Sequence, residues 1–193
     1  MSPTIILEGA VKFSFKKMIS SSEMSESSYR GKGEIMLAPA ALGDIVPIRI
    51  TGDQVWNVGK DAFLACTEGL KKDTKSQGLG KAFFSGEGLF VQKFRAEEAT
   101  KKEGGILWVT SLGAIGMKEL KTGEQYFIDN NHLVAWDMKY VIERVTSGGM
   151  LSGMAASEGM ACRFTGPGKV FFQTRNPVAF SQWLTANTVQ TGA

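Results

Sequence analysis

One histidine, His132, two cysteines, Cys66 and Cys162, and five prolines are all that 193 residues contain of these types. Double-stranded β-helix enzymes hold their metal with two or three histidines and a carboxylate. One histidine cannot supply that set, so no metal or other cofactor is expected. A Ser-His-Asp triad would also have to pass through His132, and neither Ser111 nor Ser147 stands in a nucleophile-elbow context. The cysteines lack a neighbour at metal-ligand spacing. They read as two buried thiols, with a disulfide between repeats as the alternative. So few prolines set aside a disordered Pro/Gly segment. No run reaches the roughly 18 consecutive apolar residues of a membrane-spanning helix. The N-terminus, Ser2 to Glu8, has neither the charged start nor the long apolar stretch of a signal peptide. The first arginine is Arg30, after Glu8, Glu23 and Glu26, which is the reverse of a mitochondrial leader. A cytoplasmic location is expected, with the mitochondrion as the alternative if a leader precedes the chain.

Charge is also short of an excess. Net charge is +3 with pI near 8.8, which permits weak attraction to anions and demands none. Glycine, by contrast, is plentiful at 23 residues, and 43% of the chain is hydrophobic. Period-two alternation dominates. Val134, Trp136, Met138, Tyr140 and Ile142 fall on one face of a ten-residue strand. Val11 to Lys16 and Val46 to Ile50 alternate too. Gly-rich turns punctuate the runs, which argues an all-β sandwich of short antiparallel strands, of double-stranded β-helix type.

The pattern repeats. Thr51-Gly52-Asp53-Gln54 returns as Thr122-Gly123-Glu124-Gln125, and Glu87-Gly88 returns as Glu158-Gly159, both at an offset of 71 residues (123 − 52 and 158 − 87). Gly33, Gly105 and Gly168 each open an apolar run. The expectation is one domain over 1–193, with repeats at about 33–95 and 105–175. Surface loops are expected at Ser20 to Ser28, at Leu70 to Gln77, and at Ala96 to Gly104. The last is an insertion absent from the second copy.

A short helix is expected after Asn176, a good N-cap, with Pro177 at the first helical position. Phe180, Trp183 and Leu184 then form an apolar stripe. It either packs on its own domain or docks a partner, and these three are the candidate interaction residues. The tail from Thr185 to Ala193 reads as frayed.

Other candidates carry bland readings. His132 matches Ala62 in the first copy, so it reads as a turn-exposed side chain. Gly78-Leu79-Gly80-Lys81 and Gly166-Pro167-Gly168-Lys169 read as hairpin turns rather than phosphate cradles, because neither has Walker spacing. Glu87 and Glu158 read as turn-stabilising carboxylates rather than an acid/base pair. Lys93, Arg95, Arg163 and Arg175 lie near Phe90, Phe94, Phe171 and Phe172, the mixture a nucleic-acid surface needs. Those aromatics alternate toward the core, however, and acids are interspersed.

Gly86 to Phe90, Asn131 to Trp136 and Phe164 to Arg175 together resemble the altered-inheritance-of-mitochondria family, member twenty-four. The resemblance runs from about Gly33 to Pro177. It implies a fold similar to the trp RNA-binding attenuation protein and no known enzyme activity, so no catalytic residues carry over. It also implies a link, in fungal relatives, to mitochondrial inner-membrane organisation. The expectation is a non-enzymatic scaffold or interaction protein, associating with itself as a homo-oligomer. The alternative is an RNA- or small-anion-binding module.

Overall fold

The computed structural model describes residues 1–10, 26–40, 42–59, 61–73, 91–144 and 160–188. They fall into two compact units, Met1–Ala38 and Pro39–Ala193. The first holds the antiparallel pair β1 (Ile6–Ala10) and β2 (Glu26–Arg30), with Ile6 opposite Arg30. Ser2 ties this unit together. Its amide donates to the Glu34 carbonyl at 2.9 Å, and its Oγ accepts the Glu34 amide at 2.9 Å. Gly33 to Leu37, one of the apolar runs that open on glycine and the expected start of the first repeat, forms no strand. Part of the Ser-rich stretch does form one, because β2 begins at Glu26.

The second unit is a duplication. Its first copy runs β3 (Ile45–Ile50), β4 (Val55–Gly59), β5 (Phe63–Cys66), β6 (Leu70–Asp73), β7 (Val91–Ala96) and β8 (Gly105–Thr110). The second copy runs β9 (Ile115–Leu120), β10 (Gln125–Asp129), β11 (Leu133–Trp136), β12 (Lys139–Arg144), β13 (Met160–Thr165) and β14 (Gly168–Gln173). The strand neighbours correspond one to one. Order β3-β8-β5 recurs as β9-β14-β11, and order β6-β7-β4 recurs as β12-β13-β10. All these strand pairs are antiparallel. Even an irregularity is copied. The register slips between Phe63 and Ala65 against β8, and between Leu133 and Ala135 against β14. Antiparallel sheets layered in a sandwich-like arrangement, with one C-terminal helix, are the fold class the alternation implies. Among the described residues the sheets are open, and no barrel closes.

The structural offset is 70 residues rather than 71, since 125 − 55 = 70 for β10 and β4 and 133 − 63 = 70 for β11 and β5. The matching Thr-Gly dipeptides hide a one-residue slip. In the first turn the Gln54 amide donates to the Thr51 carbonyl, with Gly52 second in the turn at φ 61°. In the second the Glu124 amide donates to the Lys121 carbonyl, with Gly123 third at φ 79°. Each turn needs one positive φ, and glycine supplies it at either place.

The same offset names the core. Ile50, Val58 and Phe94 are fully buried in one cluster, and their counterparts Leu120, Ile128 and Phe164 are buried in the other. Leu107 and Val170 match as well, at an offset of 63 (170 − 107). The difference of seven reflects the longer β7–β8 connection, the insertion the sequence implies. That connection is pinned by Lys101 to Asp53 at 2.6 Å and by Arg49 to the Glu103 carbonyl at 2.6 Å.

Two strand expectations need correction. The ten-residue strand over 133–142 breaks at Asp137 and Met138. β11 joins β4 and β14, while β12 joins β13 in another sheet. Asp137 Oδ1 accepts the Lys169 amide at 2.6 Å, and this holds the corner. The Lys-rich stretch from Leu70 is strand β6 as far as Asp73. Leu70 is buried, Asp73 pairs Arg95 at 2.9 Å, and Lys72 lies 5.1 Å over the Phe63 ring. Long lysine stems cover apolar surface while keeping the charge in water, so a basic stretch can still be a strand.

The copies are joined by one seam. β4 pairs antiparallel with β11, Val58 opposite Ala135 and Asn57 opposite Trp136, and this fuses two three-stranded sheets into one of six. The Asn57 side chain donates to the Trp136 carbonyl at 3.3 Å. β11 therefore feeds both cores, with Val134 and Ala135 in the first and Leu133 and Trp136 in the second.

Candidate functional site

Helix α1 (Pro177–Thr188) follows β14. The Asn176 Oδ1 accepts the amides of Val178 at 2.9 Å and Ala179 at 3.2 Å, the N-cap that the sequence implies. The helix continues past Thr185 to Thr188, where a frayed tail is expected, with the hydroxyls of Thr185 and Thr188 bonded back to carbonyls of the preceding turn. The helix carries no charged side chain.

Phe180 and Trp183 stack with centroids 6.1 Å apart, and the Arg175 guanidinium lies 5.9 Å over the Phe180 ring. Phe180 is half-buried, while Trp183 is 59% exposed and Leu184 41% exposed. No residue of α1 is buried. The stripe therefore does not pack into a core. Spacing at i, i+3 and i+4 puts the three on one side of a helix, but it cannot say whether anything lies opposite.

A second exposed apolar feature escapes the sequence reading. At the 70-residue offset, Tyr126 and Phe127 on β10 match Trp56 and Asn57 on β4. Trp56 is 4% exposed and Asn57 9%, against 39% for Tyr126 and 36% for Phe127. The signal was in the repeat itself, as two aromatics aligned with Trp-Asn. It was obscured by the one-residue slip at the Thr-Gly dipeptides.

His132 ends a short 3-10 turn, Asn130–His132. It is half-buried rather than turn-exposed, with Nδ1 2.7 Å from the Gln173 carbonyl. A carbonyl only accepts, so this contact places the proton on Nδ1. Gln173 completes a latch. Its Nε2 donates to the Asn131 carbonyl at 2.9 Å, and its Oε1 accepts the Leu112 amide at 2.8 Å. The counterpart Ala62 is buried, and its carbonyl accepts the Thr110 amide at 2.8 Å. The histidine is a bridging element of the second copy.

Ser111 is likewise structural. Its Oγ donates to the Gly113 carbonyl at 2.7 Å and accepts the Asp44 amide at 3.2 Å. Asp44 Oδ2 in turn accepts the Ile115 amide at 3.0 Å. This cluster clamps the link between the copies.

In the Gly166 to Lys169 turn, the Gly166 amide donates to the Glu124 carbonyl at 2.9 Å and the Lys169 amide to Asp137. Those two donors are committed to the protein and cannot cradle a phosphate. Glu124 serves the neighbouring turn. Its carboxylate is held below the usual range by the hydrogen bond from the Lys121 amide at 3.0 Å and by Lys118. The first-copy turn is served by neutral Gln54, whose Oε1 accepts the Thr51 amide at 3.1 Å.

Several of the basic and aromatic residues noted in the sequence are engaged within the fold. Arg95 pairs Asp73, Arg163 pairs Glu143 at 2.7 Å, and Phe94 is fully buried. Cys66 packs on the first core and Cys162 lies inside the second, so no disulfide joins the repeats. Burial pushes the Cys162 thiol up to about 12. Among the described residues no cluster of His, Cys, Asp and Glu is placed to hold a metal. No helix among them is long and apolar enough to cross a membrane. Ser147, Glu87, Glu158, Phe90, Val11 to Lys16 and Gly78 to Lys81 lie outside the described residues.

The model of the mitochondrial biogenesis AIM24 family matches residues 1–175, and the chain belongs to that family. An uncharacterized protein of Streptococcus pyogenes serotype M6 is 30% identical over 172 residues, which span 88% of this chain and 66% of the relative. The chain thus spans just under two thirds of that relative's length. A crystal structure of a protein from Streptococcus pyogenes superposes with a TM-score of 0.70 at 24% identity, covering 96% of this chain and 83% of the other. At that identity the likeness concerns the fold.

Proposed function

We propose that this protein is a non-enzymatic scaffold that associates with itself and presents apolar surface to partners in the cytoplasm. The observation that carries the reading is where its large apolar side chains lie. Trp183 and Leu184 on α1, and Tyr126 and Phe127 on β10, stand on ordered elements and face outward. Aromatic groups held rigidly at a surface suit protein contacts, because they offer large contact area at little entropic cost. The groups that might have served catalysis are instead engaged in structural bonds, His132 within the second copy and Ser111 at the link between the copies. The family description speaks of mitochondrial biogenesis, while the relatives above come from a bacterium. A self-associating scaffold suits both settings, and membrane organisation is the use we propose for members that reach mitochondria.

Light scattering across the micromolar range tests the association. The expected mass exceeds the monomer, and it stays unchanged when Thr185 to Ala193 is deleted, because strand edges rather than the tail carry the contact. A monomer at every concentration would sink the self-association. Dissociation on truncation would move the contact to α1.

A further inference from the structure

The outward face of β6, β7 and β4 in the first copy carries like charges side by side. Lys71 on β6 stands directly opposite Arg95 on β7, and Arg95 stands opposite Val55 on β4. All three side chains are exposed. The next row on the same face is Asp73, Lys93 and Asn57. The row between them turns inward, where Phe94 and Trp56 are buried. Asp73 accepts from the Arg95 Nε at 2.9 Å. Among the described residues neither Lys71 nor Lys93 has an ion-pair partner. Of the nearby acids, Asp53, before Val55, is taken by Lys101 at 2.6 Å, and Glu97 lies past the end of β7.

Like charges directly opposite each other on neighbouring strands destabilise a sheet. The fold does not require them here. In the second copy Lys139 takes the place of Lys71, and it faces neutral Thr165, the match of Arg95 (95 + 70). Arg163, the match of Lys93 (93 + 70), is bound by Glu143 at 2.7 Å. The same strand pair thus folds with its charges separated in one copy and facing each other in the other. A repulsion that the fold can do without suits a surface that meets an anionic partner, because the partner relieves it on binding.

We infer that this face docks an acidic segment of a protein, whose carboxylates set themselves against Lys71, Lys93 and the Arg95 guanidinium. This names a partner class for the scaffold proposed above and rests on that reading. A nucleic acid fits the face less well. The aromatic rings of these strands, Phe94 and Trp56, are buried on the other side and leave no stacking platform. A lipid surface also fits less well, since Val55 is the one exposed apolar side chain in the two rows.

Fluorescence anisotropy of a labelled oligoglutamate peptide with the full chain tests it. Wild type should bind at low salt and release the peptide as salt rises, because exposed charge pairs are screened. Lys71→Ala combined with Arg95→Thr, which installs the residue of the second copy, should weaken binding roughly tenfold. Lys139→Ala removes the matching charge from the second copy and should leave Kd unchanged. Circular dichroism checks folding, and Lys71→Glu alone replaces the double variant if that loses its strand signal. A wild type that ignores the peptide at low salt overturns the proposal. So does an equal loss in Lys71→Ala and Lys139→Ala, which would mean that net charge alone attracts the peptide. Single-stranded RNA or phosphatidylserine vesicles bound more tightly than oligoglutamate overturn the partner class. Self-association is read separately, by mass. A wild type that associates without binding the peptide keeps self-association and loses this face, whereas a monomer that binds it keeps this face and loses self-association.

Discussion

Phe94 and Phe164 occupy matching points in the two copies, and both are fully buried. Trp56 and Tyr126 also match, yet one is buried and the other exposed. The first pair lies where each copy folds on itself, while Trp56 lies on β4, where the copies meet, and its match Tyr126 lies on β10, which is outside that seam. Interior positions depend on the strands of their own copy, which duplication preserves. Seam positions depend on a neighbour, and among the described residues only β4, not its counterpart β10, has that neighbour. The comparison separates what a repeat can do alone from what it needs another unit to complete.

The largest effect should test the equivalence of the interiors. Phe94→Ala and Phe164→Ala should each cost about 3–5 kcal/mol, the usual range for a fully buried aromatic. Chemical denaturation should show the two losses to be similar. A markedly cheaper Phe164→Ala would mean that the second core is looser than the first, despite its edge-on contacts to Trp136 at 5.9 Å.

Alkaline pH should separate the copies. Cys162 occupies the place held by Gln92 in the first copy (92 + 70), so only the second core contains a thiol there. An unfolded thiol ionises above about 8.5, while burial holds the folded one to about 12. The folded state then binds more protons than the unfolded state between those values. Stability from this group is complete below about 8.5 and falls as pH rises toward about 12. Denaturation at a series of alkaline pH values should show this slope in wild type and a shallower one in Cys162→Ala. Equal slopes would indicate that the thiol is not shielded.

The smallest effect belongs to the helix. Trp183→Ala should change stability by no more than about 0.5 kcal/mol, because an exposed side chain away from a core contributes little. A loss of several kcal/mol would mean that α1 packs against the body, and the helix would then have to be treated like the interior positions.

Much of the fold was legible in the residues. Alternation at Val46 to Ile50 marked β3, glycines marked the turns, and Asn176-Pro177 marked the helix start. The seam was not legible. Val134 to Ile142 alternate without interruption, and nothing in that pattern announces that Asp137 will bond the Lys169 amide and turn the chain between sheets. Nor does alternation show that β11 is buried on both faces, since its second face is covered by strands far away in sequence.

For the candidate surfaces the division is similar. Spacing placed Phe180, Trp183 and Leu184 on one side of a helix but left open whether anything covered them. His132 read as dispensable because its counterpart is Ala62, whereas its ring meets a carbonyl 41 residues away. By itself the sequence determined the all-β class, many of the turns and the duplication, because those follow from residue periodicity and short-range backbone geometry. Only the tertiary structure decided which duplicated strands would be paired and which left at an edge. That outcome depends on which strand of one copy lies beside which strand of the other, and two copies of nearly the same pattern carry no local mark of their neighbours.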